Sequence, residues 1–331
     1  MRRRLATVAG LLLAILLLAR LVLNLENPDE VATAFASAGR APGWLLVGIL
    51  AFGAALLSGA LRWLIILRDL RLPIGGWRAF QLYAIGHFFN VLIPGATGGD
   101  IIRATFAATD SPGRQPEAVA SILAERLFGL IVLGILAAVV ALVRPAFFRG
   151  STELQLLYYF CLLLGAGALA GSLLLFGINW EKILPQAAES GRWARVVEIV
   201  RRLYSAARIC AARPATLGWT LFFSLTNHVM NIISAWGIGR ALQLAIGLPD
   251  YITAIPVVNI VAAVPITPGG AGVRDKIVNI LLTGLGVSDE NCLALSLMIN
   301  GVIIIWALLG GIGYLILRRR TGRMATSGQM A

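Results

Sequence analysis

The sequence predicts an all-α polytopic membrane protein with about six full transmembrane helices and two re-entrant helical hairpins. The hairpins are expected to enter from opposite faces, as an inverted repeat. Of the 331 residues, 58% are hydrophobic and only 13% are charged. A soluble domain of this length has too little interior to bury so much apolar surface. Glycine, proline and charge interrupt the apolar sequence at two places, one in each half of the chain.

Apolar runs of about the length that crosses a bilayer predict the six full spans. They cover residues 5–23, 43–67, 117–142, 154–177, 214–240 and 293–317. Three arginines precede the first run, which we interpret as an uncleaved transmembrane helix rather than a signal peptide. We expect residues 1–331 to form a single integral membrane domain.

The distribution of basic residues predicts the orientation of the chain. If the N-terminus is cytoplasmic, the cytoplasmic segments contain 18 Lys and Arg, and the segments on the other side contain three. These cytoplasmic segments are 1–4, 68–78, 108–116, 178–213 and 318–331. Such an asymmetry is typical of the positive-inside rule. The sequence therefore predicts a multi-pass protein of the bacterial cell inner membrane with both termini in the cytoplasm.

Two of the cytoplasmic segments have a character of their own. Residues 186–213 alternate arginines with apolar residues at helical spacing, which predicts a basic amphipathic helix on the cytoplasmic face. A plain cytoplasmic connector is the alternative. Residues 318–331 are predicted to form a short polar cytoplasmic tail.

The two interrupted segments, 79–107 and 249–286, are the predicted re-entrant hairpins. The segments flanking the first are both cytoplasmic, and those flanking the second are both on the other side, so each must enter and return. Each contains a Gly-Gly pair with an arginine four residues later, Arg103 in the first and Arg274 in the second. Matched interruptions in two halves of a membrane protein point to a transport site. Simple tight turns are the alternative.

Charged residues at membrane depth are costly and usually functional. Here they form three groups, which are Asp100 with Arg103, Glu125 with Arg126, and Arg274 with Asp275 and Lys276. We expect these groups to share a polar cavity, although purely structural ion pairs are the alternative. Three further arginines, Arg20, Arg62 and Arg240, lie near span ends, and we expect them to extend to the lipid headgroups.

The Gly-Gly breaks predict an anion site. A helix that restarts after such a break offers free N–H groups and a positive dipole end, which with an arginine suits a phosphate or carboxylate. The predicted substrate-binding residues outside the charged groups are amides, a hydroxyl and glycines at or near the breaks. They are Asn90, Gly98, Gly99, Asn259, Thr267, Gly269 and Gly270.

The sequence contains no motif that predicts catalysis or metal binding. GxSxG, HExxH and P-loop patterns are absent, and three scattered cysteines and two histidines predict neither a disulfide framework nor a metal site. We therefore expect no catalytic residues, no metal and no cofactor. The net charge of +12 indicates anionic lipid as a partner rather than nucleic acid.

Several short motifs together resemble a known family. They are the stretch from Phe89 to Gly95 with Gly98-Gly99-Asp100 and Arg103, then Glu125-Arg126, then Pro265 to Gly270 with Gly272-Val273-Arg274-Asp275. This pattern resembles the flippase-like family, also called the lysylphosphatidylglycerol synthase transmembrane-region family. In two-part members a soluble domain attaches an amino acid to phosphatidylglycerol. The chain has no such domain, so we do not expect a synthase.

The resemblance implies translocation of a lipid between leaflets without ATP hydrolysis by this chain, so a transporter rather than an enzyme. We expect Arg103, Arg126 and Arg274 to hold the lipid phosphate. Asp100, Glu125 and Asp275 would balance these arginines or bind an amino headgroup. The lipid remains open among aminoacylated or anionic phospholipids, polyprenyl-phosphate glycolipids and hopanoids. The resemblance also suggests a homodimer.

Two other functions fit the same residues. One is an integral-membrane transferase that modifies a lipid, and the other is a subunit that recruits lipid for a synthase. For the second, a lipid-synthesising enzyme would be the partner.

Overall fold

The computed structural model describes residues 28–92, 98–178, 201, 204–205, 208–209, 212–263 and 272–327. Every regular element within these ranges is helical, which confirms the predicted all-α polytopic fold. The helices are α1 (Pro28–Arg40), α2 (Pro42–Asp69), α3 (Gly76–Leu92), α4 (Gly98–Thr109), α5 (Gln115–Val143), α6 (Thr152–Gly177), α7 (Pro214–Ala241), α8 (Leu248–Ala262), α9 (Val273–Thr283) and α10 (Asp289–Ser327). A 3₁₀ turn, Pro145–Phe148, joins α5 to α6.

Four of the described helices are long and apolar enough to cross a membrane. They are α2, α5, the Thr152–Leu175 part of α6 and the Asp289–Ile316 part of α10, and they match four of the predicted spans. Helix α7 covers the predicted span 214–240 and is as long as α2. It is less apolar because serine, threonine and histidine side chains occupy its buried face. The predicted span 5–23 lies outside the described residues.

Each predicted hairpin falls on a pair of short helices. The segment 79–107 falls on α3 and α4, and the segment 249–286 falls on α8 and α9, with the two helices of each pair in contact. Two short helices in place of one long one are expected where glycine and proline interrupt an apolar sequence. The breaks themselves, residues 93–97 and 264–271, lie outside the described residues. Insertion from opposite faces and the inverted repeat stay predictions.

The predicted cytoplasmic-face helix, 186–213, lies mostly outside the described residues. Of its described part, Tyr204 is buried and donates a hydrogen bond to the carbonyl of Ile178, 2.9 Å away. At the other end of the chain, the backbone of α10 stays helical through Ser327, well into the predicted tail 318–331.

The most extensive helix pair joins α2 to α7. Two polar side chains of α7 donate hydrogen bonds across it to backbone carbonyls of α2. Ser234 reaches the carbonyl of Gly48 at 2.7 Å, and Asn227 reaches that of Ala55 at 2.6 Å. Such bonds between helices are a recurrent stabilising device where lipid offers no alternative partner. They fix the rotation of α7, and therefore which of its side chains face the interior.

Helix α10 approaches α3 closely at Gly310. A Cβ atom at this position would overlap the backbone carbonyl of Ala84. Three residues later, Gly313 faces open space, because a Cβ atom added there would meet no neighbouring helix or side chain within 4 Å. Small residues at points such as Gly310 allow the close backbone contact on which helix association in membranes depends.

We expect Gly310→Ala to lower the free energy of unfolding by about 1–3 kcal/mol, because the added methyl group forces α10 away from α3. Gly313→Ala in the same helix is the matched control, and its effect should be neutral or stabilising by up to about 1 kcal/mol. Thermal or denaturant unfolding in detergent measures both. Equal stability of the two variants would contradict the close α3–α10 contact.

Candidate functional site

A buried carboxylate, Glu125 of α5, is the centre of the candidate site. Its side chain is only 4% exposed, and each of its oxygens accepts hydrogen bonds from an arginine. Oε1 binds Arg62 of α2, through Nε at 3.1 Å and through Nη2. Oε2 binds Nη2 of Arg103 of α4 at 2.7 Å. Because a buried charge is tolerated only when it is paired, these contacts hold α2, α4 and α5 together.

A second carboxylate, Asp100 of α4, extends the network. Its Oδ1 lies 3.5 Å from Nη2 of Arg103, three residues later on the same face of the helix, as the spacing predicts. Its Oδ2 forms an ion pair with Nε of Arg126 of α5. The side chain of Arg126 is 33% exposed, far more than the other arginines of the network. Glu125 and Arg126 are adjacent in α5, but each forms its ion pairs with residues of other helices.

Aromatic rings and a hydroxyl group hold the two buried arginines in place. The guanidinium carbon of Arg103 lies 4.7 Å from the ring centroid of Trp63 and 5.0 Å from that of Tyr83. Cation–π contacts of this kind add to the ion pairs, most strongly where water is excluded. Arg62 donates from Nη1 to Oγ of Ser224 at 2.9 Å, which connects α7 to the network.

The first Gly-Gly break is held by Asn90. Its side-chain oxygen accepts a hydrogen bond at 2.8 Å from the backbone N–H of Gly99, at the start of α4. A Cβ atom at Gly99 would overlap the carbonyl of Gly86, so only glycine fits this approach of α4 to α3. Gly98 is buried beside it. Asn90 of α3 therefore connects the end of that helix to the first residues of α4.

Two adjacent charged residues that follow the second break, Arg274 and Asp275, make different contacts. Asp275 is buried, and its carboxylate accepts hydrogen bonds from the backbone N–H of Gly272 at 3.0 Å and from the amide of Asn300 at 3.2 Å. It therefore caps α9 and joins it to α10. Arg274 donates from Nη1 to the same Asn300 at 3.3 Å, and its Nε is buried with no partner among the described residues.

Two adjoining compartments, which we call the polar cavity, lie between these groups. Their volumes are about 310 Å³ and about 280 Å³. Both are bordered by Leu56, His87, Asn90, Arg126, Asn227 and Ala263. The larger compartment also reaches Arg274 and Asn259, and the smaller one reaches Glu125 and its arginine partners. Of the predicted charged residues, the cavity is thus bordered by Asp100, Arg103, Glu125, Arg126 and Arg274, whereas Asp275 and Lys276 do not border it.

The wall of the polar cavity carries an excess of positive charge. Among the described residues, its arginines are Arg62, Arg103, Arg126 and Arg274, and its carboxylates are Asp100 and Glu125. Four positive charges against two negative ones leave a formal excess of two. Within a cleft with low-dielectric walls, such an excess attracts anions more strongly than at an exposed surface.

Two apolar grooves adjoin the polar cavity. The α5–α6 groove, about 600 Å³ in volume and also bordered by α8, shares Leu130 and Ala263 with the cavity wall. The α3–α10 groove, about 500 Å³ and also bordered by α2, shares Leu56 and Tyr83. Polar and apolar recesses that share wall residues suit a ligand that has both a polar and an apolar part.

The position of Arg62 corrects the sequence analysis. It was expected to extend to the headgroups from a span end, yet its side chain is only 7% exposed and pairs with Glu125. One signal in the sequence indicates this. Adjacent residues on a helix point about 100° apart, so Glu125 needs a partner other than Arg126. Arg240, by contrast, is exposed and lies 5.7 Å from the ring centroid of Trp44.

A polar face of α7 was missed by the sequence analysis. Asn227, Asn231 and Ser234 recur at four- and three-residue spacing, which places them on one side of the helix, and all three border the polar cavity. The same spacing could have revealed this face. Of the predicted residues, Asn259 borders the cavity as well, whereas Thr267, Gly269 and Gly270 lie outside the described residues.

The two histidines make single contacts to backbone carbonyls. Nε2 of His87 lies 3.4 Å from the carbonyl oxygen of Ile303, and Nε2 of His228 lies 3.3 Å from that of Gly129. A carbonyl oxygen only accepts, so each contact is a hydrogen bond in the tautomer that carries its proton on Nε2. Among the residues that the structure describes, no group of three His, Cys, Asp or Glu side chains is placed to hold a metal ion.

Comparisons with known proteins agree with this architecture. The family profile described as "Lysylphosphatidylglycerol synthase TM region" matches residues 7–322. A similar curated protein is the UPF0104 membrane protein PH1989 of Pyrococcus horikoshii. It is 24% identical over 304 residues, which cover 84% of this chain and 87% of the relative.

We expect Glu125→Gln to destabilise the protein by about 3–5 kcal/mol, because it leaves two buried arginines without their common carboxylate. Arg103→Gln should cost less, since Glu125 keeps Arg62. Glu153→Gln, at an exposed position in the first turn of α6, is the control and should leave stability unchanged. Unfolding in detergent measures the loss of stability in each variant. A smaller loss for Glu125→Gln than for Arg103→Gln would contradict the network.

Proposed function

We propose a function from the premise that the chain belongs to the lysylphosphatidylglycerol synthase TM-region family. It is a transporter that moves a phosphate-bearing lipid between the two leaflets of the membrane. The lipid headgroup crosses through the polar cavity, and the acyl chains stay in apolar surroundings. The observation that carries this proposal is the excess of positive charge in a cavity that adjoins two apolar grooves.

The charges favour a phosphate as the bound group. Arg126 and Arg274 border the larger compartment, and neither donates to Glu125. Arg126 pairs with Asp100, but its side chain is 33% exposed. Guanidinium groups bind phosphate oxygens through charge-assisted hydrogen bonds, which are among the strongest in proteins. We therefore assign phosphate binding to Arg126 and Arg274. Arg103 was expected to share this role. Its Nη2 donates to Glu125, and its buried Nε has no partner among the described residues. We assign Arg103 to positioning the wall, because the ion pair with Glu125 holds its guanidinium group in place.

The grooves favour a lipid over a soluble anion. A free phosphate or carboxylate ion needs only the polar cavity, whereas a lipid also needs an apolar path that leads away from it. The α5–α6 groove offers such a path, because Leu130 and Ala263 belong to both walls. On its α6 side, Gly167 and Gly171 are exposed, so the groove is open to the outside of the helix bundle.

Transport also fits the carboxylates better than a transferase reaction does. A general base needs a carboxylate that is free to take a proton from the substrate. Glu125 and Asp100 are both in ion pairs with arginines, and Asp275 caps a helix. Product formation from a lipid and a cytosolic donor by the purified chain would favour the transferase instead.

We further propose that the protein resides in a bacterial inner membrane with both termini in the cytoplasm. Reporter fusions that are active only in the cytoplasm, placed after residue 331 and before residue 1, should both be active. A fusion in the short segment 143–153 should be inactive, because the low content of basic residues there favours the outer side. Activity at residues 143–153 would contradict the orientation.

Arg274→Gln and Arg126→Gln should each slow the movement of a fluorescent anionic phospholipid in proteoliposomes by about tenfold or more. A hydrogen bond to a charged group is worth about 1.5–3 kcal/mol, and each 1.4 kcal/mol is about tenfold. Arg240→Gln, which removes an exposed arginine outside the cavity, is the matched control and should retain the wild-type rate. Wild-type rates in both cavity variants, with intact folding, would refute the proposed site.

A further inference from the structure

We infer that the polar cavity is selective for a lipid phosphate that carries an uncharged, hydroxyl-rich group, such as glycerol or a sugar. It disfavours a headgroup that carries an ammonium, as an aminoacylated phospholipid does. This inference rests on the proposed function, and it narrows the class of lipid that the same cavity accepts.

Neither of the two carboxylates that border the cavity among the described residues is available to an ammonium. Both oxygens of Glu125 accept hydrogen bonds from arginines, and its side chain is almost fully buried. Both oxygens of Asp100 face arginines as well, Oδ1 at 3.5 Å from Arg103 and Oδ2 in the pair with Arg126. An ammonium would have to displace an arginine to reach either one. The cost of leaving that arginine unpaired opposes the exchange.

The chain segments at the two breaks add no further acid. Residues 93–97 and 264–271 connect the helices that border the cavity, and neither segment contains Asp or Glu. The excess of two positive charges around the cavity therefore holds whatever the course of these segments. One phosphate partly neutralises this excess, whereas an additional ammonium restores it. Like charges brought close together disfavour binding.

The larger compartment provides neutral partners in place of charged ones. Asn227 and Asn231 donate side-chain N–H groups to the backbone carbonyls of Ala55 and Asn227, at 2.6 and 2.8 Å, which fixes the orientation of both amides. Among the described residues, neither amide oxygen accepts a hydrogen bond. Asn259 borders the same space. Amide groups exchange hydrogen bonds readily with hydroxyl groups, and they do so without adding charge.

The arginines and the amide side chains border the same compartment, as a phosphate joined to a hydroxyl-rich group requires. Arg126 belongs to both compartments and Arg274 to the larger one, so the phosphate position adjoins the face of α7 that carries Asn227 and Asn231. The substituent of a phosphate held by these arginines therefore lies in a compartment that the amide groups also border. The group that the cavity recognises is therefore a phosphate joined to a polyol. The polyol is either the glycerol of a phospholipid or the sugar of a polyprenyl-phosphate lipid.

Binding of defined lipids to the purified full-length chain tests the inference. Native mass spectrometry would compare phosphatidylglycerol with lysylphosphatidylglycerol of identical acyl chains, and a polyprenyl-phosphate sugar in a parallel arm. We expect phosphatidylglycerol to bind at least about tenfold more tightly than its lysyl ester. The parallel arm shows whether glycerol or a sugar is preferred. Equal or tighter binding of the lysyl ester, or no binding of any of the three lipids, would overturn the inference.

A designed carboxylate provides the second measurement. Asn231→Asp places a negative charge on the neutral wall and should shift the preference toward the lysyl ester by about tenfold. Asn291→Asp, at the start of α10 and outside the cavity wall, is the matched control and should leave the preference unchanged. If Asn231→Asp does not fold, Asn259→Asp tests the same wall. An unshifted preference in a folded cavity variant contradicts the assignment.

The outcomes separate this inference from the proposed function. A preference for the uncharged headgroup without any movement of lipid in proteoliposomes would refute transport and leave the selectivity in place. Movement of lipid with no preference between the two headgroups would refute the selectivity and leave transport in place.

Discussion

The structure depends on the pairing of one buried carboxylate with two arginines. Glu125 lies in a helix that is otherwise apolar for most of its length, and Arg62 and Arg103 reach it from two other helices. A single charge of this kind in a membrane interior is costly, and the cost falls only when partners arrive with the right geometry. The relative positions of α2, α4 and α5 are therefore coupled through one side chain.

This coupling divides the arginines of the cavity into two roles. Both Arg62 and Arg103 donate hydrogen bonds to Glu125. Arg62 also donates to Ser224, and Arg103 also contacts two aromatic rings. Arg126 and Arg274 lie at the cavity wall with weaker or more exposed contacts. The first pair fixes the shape of the cavity, and the second pair supplies the positive charge that a ligand meets. A change in the first pair should therefore act on folding, whereas a change in the second should act on binding.

Several features of the site follow from local sequence. The glycine and proline breaks predict where apolar segments split into shorter helices, because these residues disfavour a continuous helix whatever their neighbours. The spacing of Asp100 and Arg103 predicts one helical face. The position of Arg62 was not predicted. Its place near the end of a span suggests contact with lipid headgroups, whereas the buried carboxylate of Glu125 requires an arginine partner from another helix. The amide face of α7 was overlooked although its spacing is visible in the sequence.

The sequence is enough to show that this chain is a helical membrane protein with two interrupted segments and with costly charges at membrane depth. Hydropathy and helix breaking are properties of short stretches of sequence, so they can be predicted without a structure. Helix packing, by contrast, establishes that Glu125 binds Arg62 and Arg103, that Asp275 caps a helix, and that Asn227 and Asn231 face the same cavity as Arg274. These relations depend on helix rotation and on contacts between distant residues, which the packing of the whole chain sets.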